Sequence, residues 1–434
     1  MGESSGNTHM STIPSEIMSH IFAYCLPDED FPSPSIRDAP LLLARVCRTW
    51  KDLSVLTPNL WTAISIDGID HGFLQTPLNE WLIRSRTLPI SIQLTYYPGP
   101  FLEIILSHAP RLQRFHLTSQ PPDKGASHGH HSVNHVNQFI VSVLNLAGGL
   151  EEFTHVGFPS LVPRASPLPE FTPQQNLRKI NFRGRPFFLT FKQYQSYHLC
   201  ELYIQNDPSP NHLLHIFDHC PLLHTCIINF GQHRGFPAPW RVRTMQFMKT
   251  ISVAWDSGDA TVGPFLDQIS LPRLEHLTID MYRCNPDATG QRWPHLANLL
   301  ERSKPDLKEL RIQGGPMQVE DMLTCLRLVP GVTSLGGDVL MVYKPVITML
   351  EVDDGSVQAP LCPRMETFEV MGPSANPYNV IQMVASRWSC AATTRRKFHI
   401  AKLTEVKVRW QAKYLLEDPG IMKYMEEGLK VTVL

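Results

Sequence analysis

No apolar run in this sequence approaches the length of a bilayer span, which argues against a transmembrane anchor. The opening GESSGNTHMSTIP also lacks the charged and apolar regions of a secretory signal. The 39 Lys and Arg residues nearly cancel the 40 Asp and Glu, for a formal charge of -1. Without a basic surplus there is no electrostatic footprint for nucleic acid or an anionic membrane, and neither is expected as a partner. The nine cysteines are odd in number, scattered and free of any CxxC pair, as expected for reduced thiols in the cytoplasm or nucleus. Walker and HExxH patterns are missing, and the GxSxG string Gly2-Glu3-Ser4-Ser5-Gly6 lies in a polar stretch with no strand pattern before it and so reads as no nucleophile elbow; the sequence points to no enzyme and no cofactor. What is there is a folded globular composition, 43% hydrophobic over 434 residues, long enough for more than one domain.

The N-terminal stretch carries more apolar surface than it can hide. In IPSEIMSHIFAYCL, Ile13, Ile17, Ile21 and Leu26 fall near one helical face, flanked by Met18, Phe22 and Cys25. Pro14 sits where a first-turn proline is tolerated. A second helix is expected from Pro40 through Leu43 and Val46 to Trp50 and Leu53, and Thr57-Pro58 reads as the N-cap and first position of a third. Cys25 and Cys47 read as small core hydrophobes. A unit this small supplies only about 3–5 kcal/mol of core stability, while each large apolar side chain left in water forgoes about 1.5–3 kcal/mol. A covering surface, on another protein or on the rest of the chain, is implied.

These residues resemble an F-box. Ile13-Pro14 stands where that family has Leu-Pro, Glu16-Ile17 and Ile21-Phe22 follow in register, Val46-Cys47-Arg48-Thr49-Trp50 matches Val-Cys-(Arg/Lys)-x-Trp, and Leu60-Trp61 closes the match. The Thr57-Pro58-Asn59-Leu60-Trp61 ending and the long spacer from Pro27 to Ala39 look like the F-box-like proteins abundant in mushroom-forming fungi. The resemblance implies binding to the Skp adaptor of a cullin-RING ubiquitin ligase. It places Ile13, Pro14, Ile17, Ile21, Phe22, Leu26, Val46, Cys47, Trp50, Leu60 and Trp61 in or behind that interface, some of them, Trp50 above all, as candidates for the unit's own core.

Beyond Trp61 a short phrase, apolar-x-x-apolar-x-apolar, recurs: Leu112-Phe115-Leu117, Leu177-Ile180-Phe182, Leu199-Leu202-Ile204, Leu223-Cys226-Ile228, Leu274-Leu277-Ile279, Leu307-Leu310-Ile312, Met365-Phe368-Val370 and Leu403-Val406-Val408, with partial copies at Leu150 and Val332. The last three positions alternate with the period of a short strand. Pro110, Pro221, Pro272, Pro305, Pro330 and Pro363 stand two residues before an anchor and mark where an upstream helix stops. Helical spacing precedes several of them, over 101–108, 213–220, 293–303 and 319–329. Stacked in parallel, such units make one sheet. They resemble an irregular leucine-rich-repeat solenoid, without the asparagine that normally satisfies its turns.

The expected fold class is therefore α/β: a short three-helix F-box followed by an irregular leucine-rich-repeat-like solenoid of alternating helices and short parallel strands. Residues 1–10 are read as a disordered N-terminus, 11–64 as the F-box-like domain, 65–95 as a connecting and capping segment, and 96–434 as the repeat domain. Long insertions, 120–137 and 231–243, read as rim loops, and 428–434 as a terminal strand. Outward strand positions would line a binding floor, with Arg114, His116, Tyr203, His276, Glu309, Arg311 and Glu369 as candidate contacts for a protein target. The resulting expectation is a substrate-receptor subunit of a Skp-cullin-F-box ligase. The alternatives are a repeat scaffold without a ligase role and a zinc enzyme built on His128, His130, His131 and His135. The last set has i, i+4 spacing but no Glu between, and reads better as a polar loop. A second group, His212, His215, His219, Cys220 and His224, coincides with a repeat helix.

Overall fold

The computed structural model describes residues 13–67, 71–95, 102–118, 129–157, 170–171, 174–183, 188–189, 197–205, 209–230, 241–255, 262–281, 292–338, 340–372, 376–409 and 412–434. Two compact units form, Met1–Tyr197 and His198–Leu434. This division falls inside the stretch assigned above to one repeat domain, and residues 1–10 lie outside the described residues.

The first unit begins with α1 (Ser15–Tyr24), α2 (Leu43–Val46), α3 (Arg48–Leu56) and a 3-10 turn, Pro58–Trp61. The expected continuous second helix is broken. Cys47 is extended (φ -158°, ψ 171°) and its Sγ accepts the Trp50 N–H at 3.5 Å, so it caps a new helix rather than joining the two. Thr57 does not cap with its side chain; its hydroxyl donates to the Leu53 carbonyl at 2.7 Å. Cys25 and Cys47, expected in the core, are both exposed.

There follow β1 (Ala63–Asp67), α4 (His71–Arg84), β2 (Ile90–Thr95), α5 (Leu102–His108), β3 (Leu112–Thr118), α6 (Gly129–Leu146), β4 (Glu152–Val156), β5 (Glu170–Phe171), β6 (Lys179–Arg183) and β7 (Phe188–Leu189). The strands β1, β2, β3, β4 and β6 pair in that order, all parallel. Register stacks one apolar layer, Ile64, Ile92, Phe115, Phe153 and Ile180, beside a second containing Ile66, Leu94, Leu117 and Phe182. His155 completes that second layer, and burial pushes its pKa down to about 4. The insertion 120–137, expected as a loop, is helical from Gly129 onward because α6 starts there.

The second unit runs through β8 (Glu201–Gln205), α7 (Pro210–His219), β9 (Thr225–Phe230), β10 (Arg243–Thr244), β11 (Thr250–Trp255), α8 (Val262–Asp267), β12 (Ile269–Ser270), β13 (His276–Met281), α9 (His295–Ser303) and β14 (Glu309–Gly314). It ends with α10 (Val319–Leu328), β15 (Ser334–Gly337), α11 (Lys344–Leu350), β16 (Thr367–Val370), α12 (Pro377–Ser389), α13 (Ala392–Phe398), β17 (Glu405–Val408), α14 (Ala412–Leu416), α15 (Pro419–Glu426) and β18 (Lys430–Val433). Parallel pairing runs β8, β9, β11, β13, β14, β15, β16, β17, β18. Every three-anchor phrase became a strand. The α/β alternation of helices with short parallel strands after N-terminal helices is thus the observed, solenoid-like architecture.

The missing asparagine ladder has a backbone substitute at the strand starts. Two consecutive N–H groups of each repeat converge on one carbonyl of the repeat before: Glu275 and His276 on Lys249, Lys308 and Glu309 on Glu275, Thr333 and Ser334 on Lys308, Glu366 and Thr367 on Thr333. The N–H groups entering each strand are satisfied this way without side chains. Gly337 occupies an inward position that no other residue fits, since a Cβ there would lie 2.6 Å from Met341 Cβ and 2.9 Å from the Ile312 carbonyl.

Candidate protein-interaction site

On α1 the sequence spacing splits inward from outward side chains. Met18 and Phe22 are buried, Phe22 with its ring 5.0 Å from that of Trp50, while Ile17 (51% exposed), Ile21 (42%) and Tyr24 (90%) sit at i, i+4 and i+7 on the solvent side. Val46 (55%), Leu42 and Leu56 are also exposed. Among the predicted adaptor contacts, Pro14, Ile17, Ile21, Val46 and Cys47 are therefore open, and Ile13, Leu26 and Trp50 are half-buried. Phe22, Leu60 and Trp61 are enclosed and stand behind the surface, not on it. Tyr24, Leu42 and Leu56 escaped the sequence reading. Tyr24 was within reach as the i+7 partner of Ile17, but Leu26, which lies beyond the helix end, was placed on the stripe instead.

Trp61 explains why the helices are held in place. Its Nε1 donates to the Ser54 carbonyl at 2.9 Å, its ring meets Trp81 of α4 edge-on at 4.8 Å, and the Arg84 guanidinium lies 4.6 Å from the ring centre. One indole thereby ties α3 to the first repeat helix within this unit.

The spacer 27–39 folds back as a strap over the outward face of β1–β3. Asp30 pairs with Arg114 at 2.8 Å, the Phe31 ring lies 4.4 Å from the His116 ring, and the Pro32 carbonyl accepts the Ser65 N–H of β1 at 2.9 Å. Two predicted target contacts, Arg114 and His116, are thus already engaged by the chain itself. Beyond them Glu152 lies 3.2 Å from His116 Nε2 and 2.9 Å from Lys179 Nζ, and these partners hold its carboxyl down to about 2. Beside the strap is a cleft of about 500 Å³ whose walls include Pro34, Leu41, Ile64, Leu78 and Trp81.

In the second unit the predicted floor residues face outward but are largely paired with one another. Arg311 lies 2.6 Å from Glu309 and 3.1 Å from Glu369, reaching the latter across β15 at Gly336, where a side chain would crowd both. His276 lies 3.1 Å from Glu309, and Tyr203 donates to Glu201 at 3.2 Å. Glu369, read as an exposed contact, is buried (3% exposed): Arg311 and the neighbouring strands cover it. Further along, Glu405 is flanked by Lys430 (3.0 Å) and Lys407 (3.6 Å), and the hydrogen bond from Lys430 lowers its pKa.

The side chains of His128, His130, His131 and His135 lie outside the described residues. On α7 His212 is buried while the exposed His215 lies with its ring 4.5 Å from that of His219, and His224 binds Thr225 Oγ1 at 3.0 Å, so of the second histidine group only His215 and His219 meet as a ring pair. Among the described residues, no three His, Cys, Asp or Glu side chains are placed to hold a metal ion, and no helix is long and apolar enough to cross a membrane.

Compared with known families, residues 10–67 match the F-box-like domain. No curated protein matches the chain. The matched segment spans α1 to the end of β1, covering all the open apolar positions named above. An F-box-like domain implies binding to a Skp-type adaptor in general.

Proposed function

We propose that the chain is the substrate-receptor subunit of a Skp-cullin-F-box ubiquitin ligase, with the F-box-like helices held by the adaptor and the repeat domain, of leucine-rich-repeat type, presenting a protein target. The observation that carries this is the stripe Ile17, Ile21 and Tyr24, left in solvent on a segment of the matching family. Its burial in a partner groove recovers half of the roughly 1.5–3 kcal/mol of full burial for each half-exposed isoleucine and more for Tyr24, with aromatic and aliphatic anchors concentrating the energy. Such a receptor makes and breaks no bonds. It raises the effective concentration of target lysines near the ubiquitin-loaded enzyme, so geometry supplies the rate. Its place of work is the cytoplasm or nucleus, where the ligase and its reduced thiols would reside.

The test is co-expression with a Skp adaptor and size-exclusion chromatography, beside Ile17→Asp with Ile21→Asp. Co-elution by the wild type and its loss in a folded variant is the expected result. A soluble wild type that ignores the adaptor would leave the scaffold reading, in which the helices only cap the first repeat. Trp61→Ala is a poor probe of the interface, because Trp61 is buried between α3 and α4.

A further inference from the structure

We propose that the outward face of β1–β3 is a recognition site for an extended peptide carrying an acidic residue followed by an aromatic one, and that the strap occupies it in cis with Asp30-Phe31-Pro32. The inference deepens the receptor reading by naming the chemistry of a target segment. Three successive strap residues meet three different devices. The Arg114 guanidinium takes the Asp30 carboxylate at 2.8 Å and its carbonyl at 3.4 Å, while its Nε donates to Ser91 Oγ at 3.1 Å and so is fixed from below. The Phe31 ring sits between that guanidinium (5.0 Å) and the His116 ring (4.4 Å). Glu152 steadies His116 from the far side at 3.2 Å. The Ser65 N–H on the edge strand then takes a backbone carbonyl, as in strand addition to a sheet edge.

The cis occupant is weakly held at its acid and leaves an edge hydrogen bond unmade. Asp30 is 78% exposed, and a surface ion pair of this kind holds weakly. Strand pairing would return a hydrogen bond to the Ser65 carbonyl from residue 32 if the segments run antiparallel, or from residue 34 if parallel. Both are proline and have no N–H to give. The strap's flank at Ser33 and Pro34 borders the 500 Å³ cleft rather than packed side chains. A competing segment without those prolines keeps the acid and ring contacts and adds an edge hydrogen bond.

The probes are fluorescein-labelled peptides with the strap's own sequence, PDEDFPSPS, and a proline-free form, PDEDFVSVS, titrated into the full chain by anisotropy. In Asp30→Ala with Phe31→Ala, which removes the strap's acid and ring and leaves only the Pro32 carbonyl to be displaced, the proline-free peptide should bind saturably and about tenfold tighter than to wild type. It should also bind about fivefold tighter than the strap sequence. Adding Arg114→Ala should cost a further tenfold or so. A folded double variant that binds neither peptide at about 1 mM, or binding indifferent to Arg114, overturns the proposal. If the double variant does not fold, the wild type is exposed to the peptide with a benzophenone at the Phe position. Cross-links to β2 or β3 support the site, and labelling no greater than a scrambled control overturns it. Adaptor co-elution is read on the same samples, so failure of peptide binding with the adaptor retained removes this inference alone.

Discussion

On α1 the outward stripe of Ile17, Ile21 and Tyr24 meets solvent, whereas on β14 the outward Arg311 meets two carboxylates of its own chain. The first region is chemically incomplete: two isoleucines are only half covered by the fold that presents them, and Tyr24 is almost wholly in solvent. The second is ion-paired within the chain, with Arg311, Glu309, Glu369 and His276 joined into one network. The contrast teaches where a partner gains most. Covering the helices releases water from apolar surface, while covering the network offers little, because its charges already have counterparts.

Breaking the inward side of the helices should have the largest effect. Trp61→Ala removes an enclosed indole and should cost about 3–5 kcal/mol in urea unfolding. Ile17→Asp with Ile21→Asp, on the outward side, should shift stability by about 0.5 kcal/mol or less while abolishing adaptor co-elution. Equal losses from both would show that the stripe is core. Gly337→Val should cost about 3 kcal/mol, since the new side chain meets Met341 and the Ile312 carbonyl; thermal melts beside Gly336→Ala, where neighbouring side chains can shift, give the comparison. In the β14 network, Arg311→Met should cost about 2 kcal/mol by leaving buried Glu369 without its cation, and Glu369→Gln in that background should restore part of it. The smallest effect concerns acid. Glu152 has its pKa depressed to about 2, so its contribution is full above the ordinary value of 4.5 and is lost as pH falls through 2. Glu152→Gln should remove that acid-dependent loss and cost about 1 kcal/mol at neutral pH, read from urea midpoints across pH.

Much of the fold was legible because a strand buried on one side must alternate. The eight phrases, the partial copies at Leu150 and Val332 and the terminal strand 428–434 all became members of the parallel sheets. The strand β11 was missed although Met248, Ile251 and Val253 carry the same spacing. The helices α11 and α13, seven residues each, are too short to show a clear period, whereas α12 carries helical spacing at Val380, Met383, Val384 and Arg387 behind the Asn376-Pro377 start and was within reach of the sequence. At the candidate site the sequence marked the right segment but not its sides. Phe22, Leu60 and Trp61 look like surface anchors in a list of apolar residues, and only their neighbours Trp50, Ser54 and Trp81 put them inside.

The sequence by itself determined most of the parallel strands and that the N-terminal segment carries surplus apolar surface, since periodicity and turn chemistry act over a few residues. Only the tertiary structure decided that Asp30 and Phe31 would lie on Arg114 and His116, and that Arg311 would reach Glu369 across a glycine. Those contacts join residues far apart in the chain, and nothing local in either partner specifies the other; the fold-back of the strap brings the first pair together and the parallel stacking of strands the second.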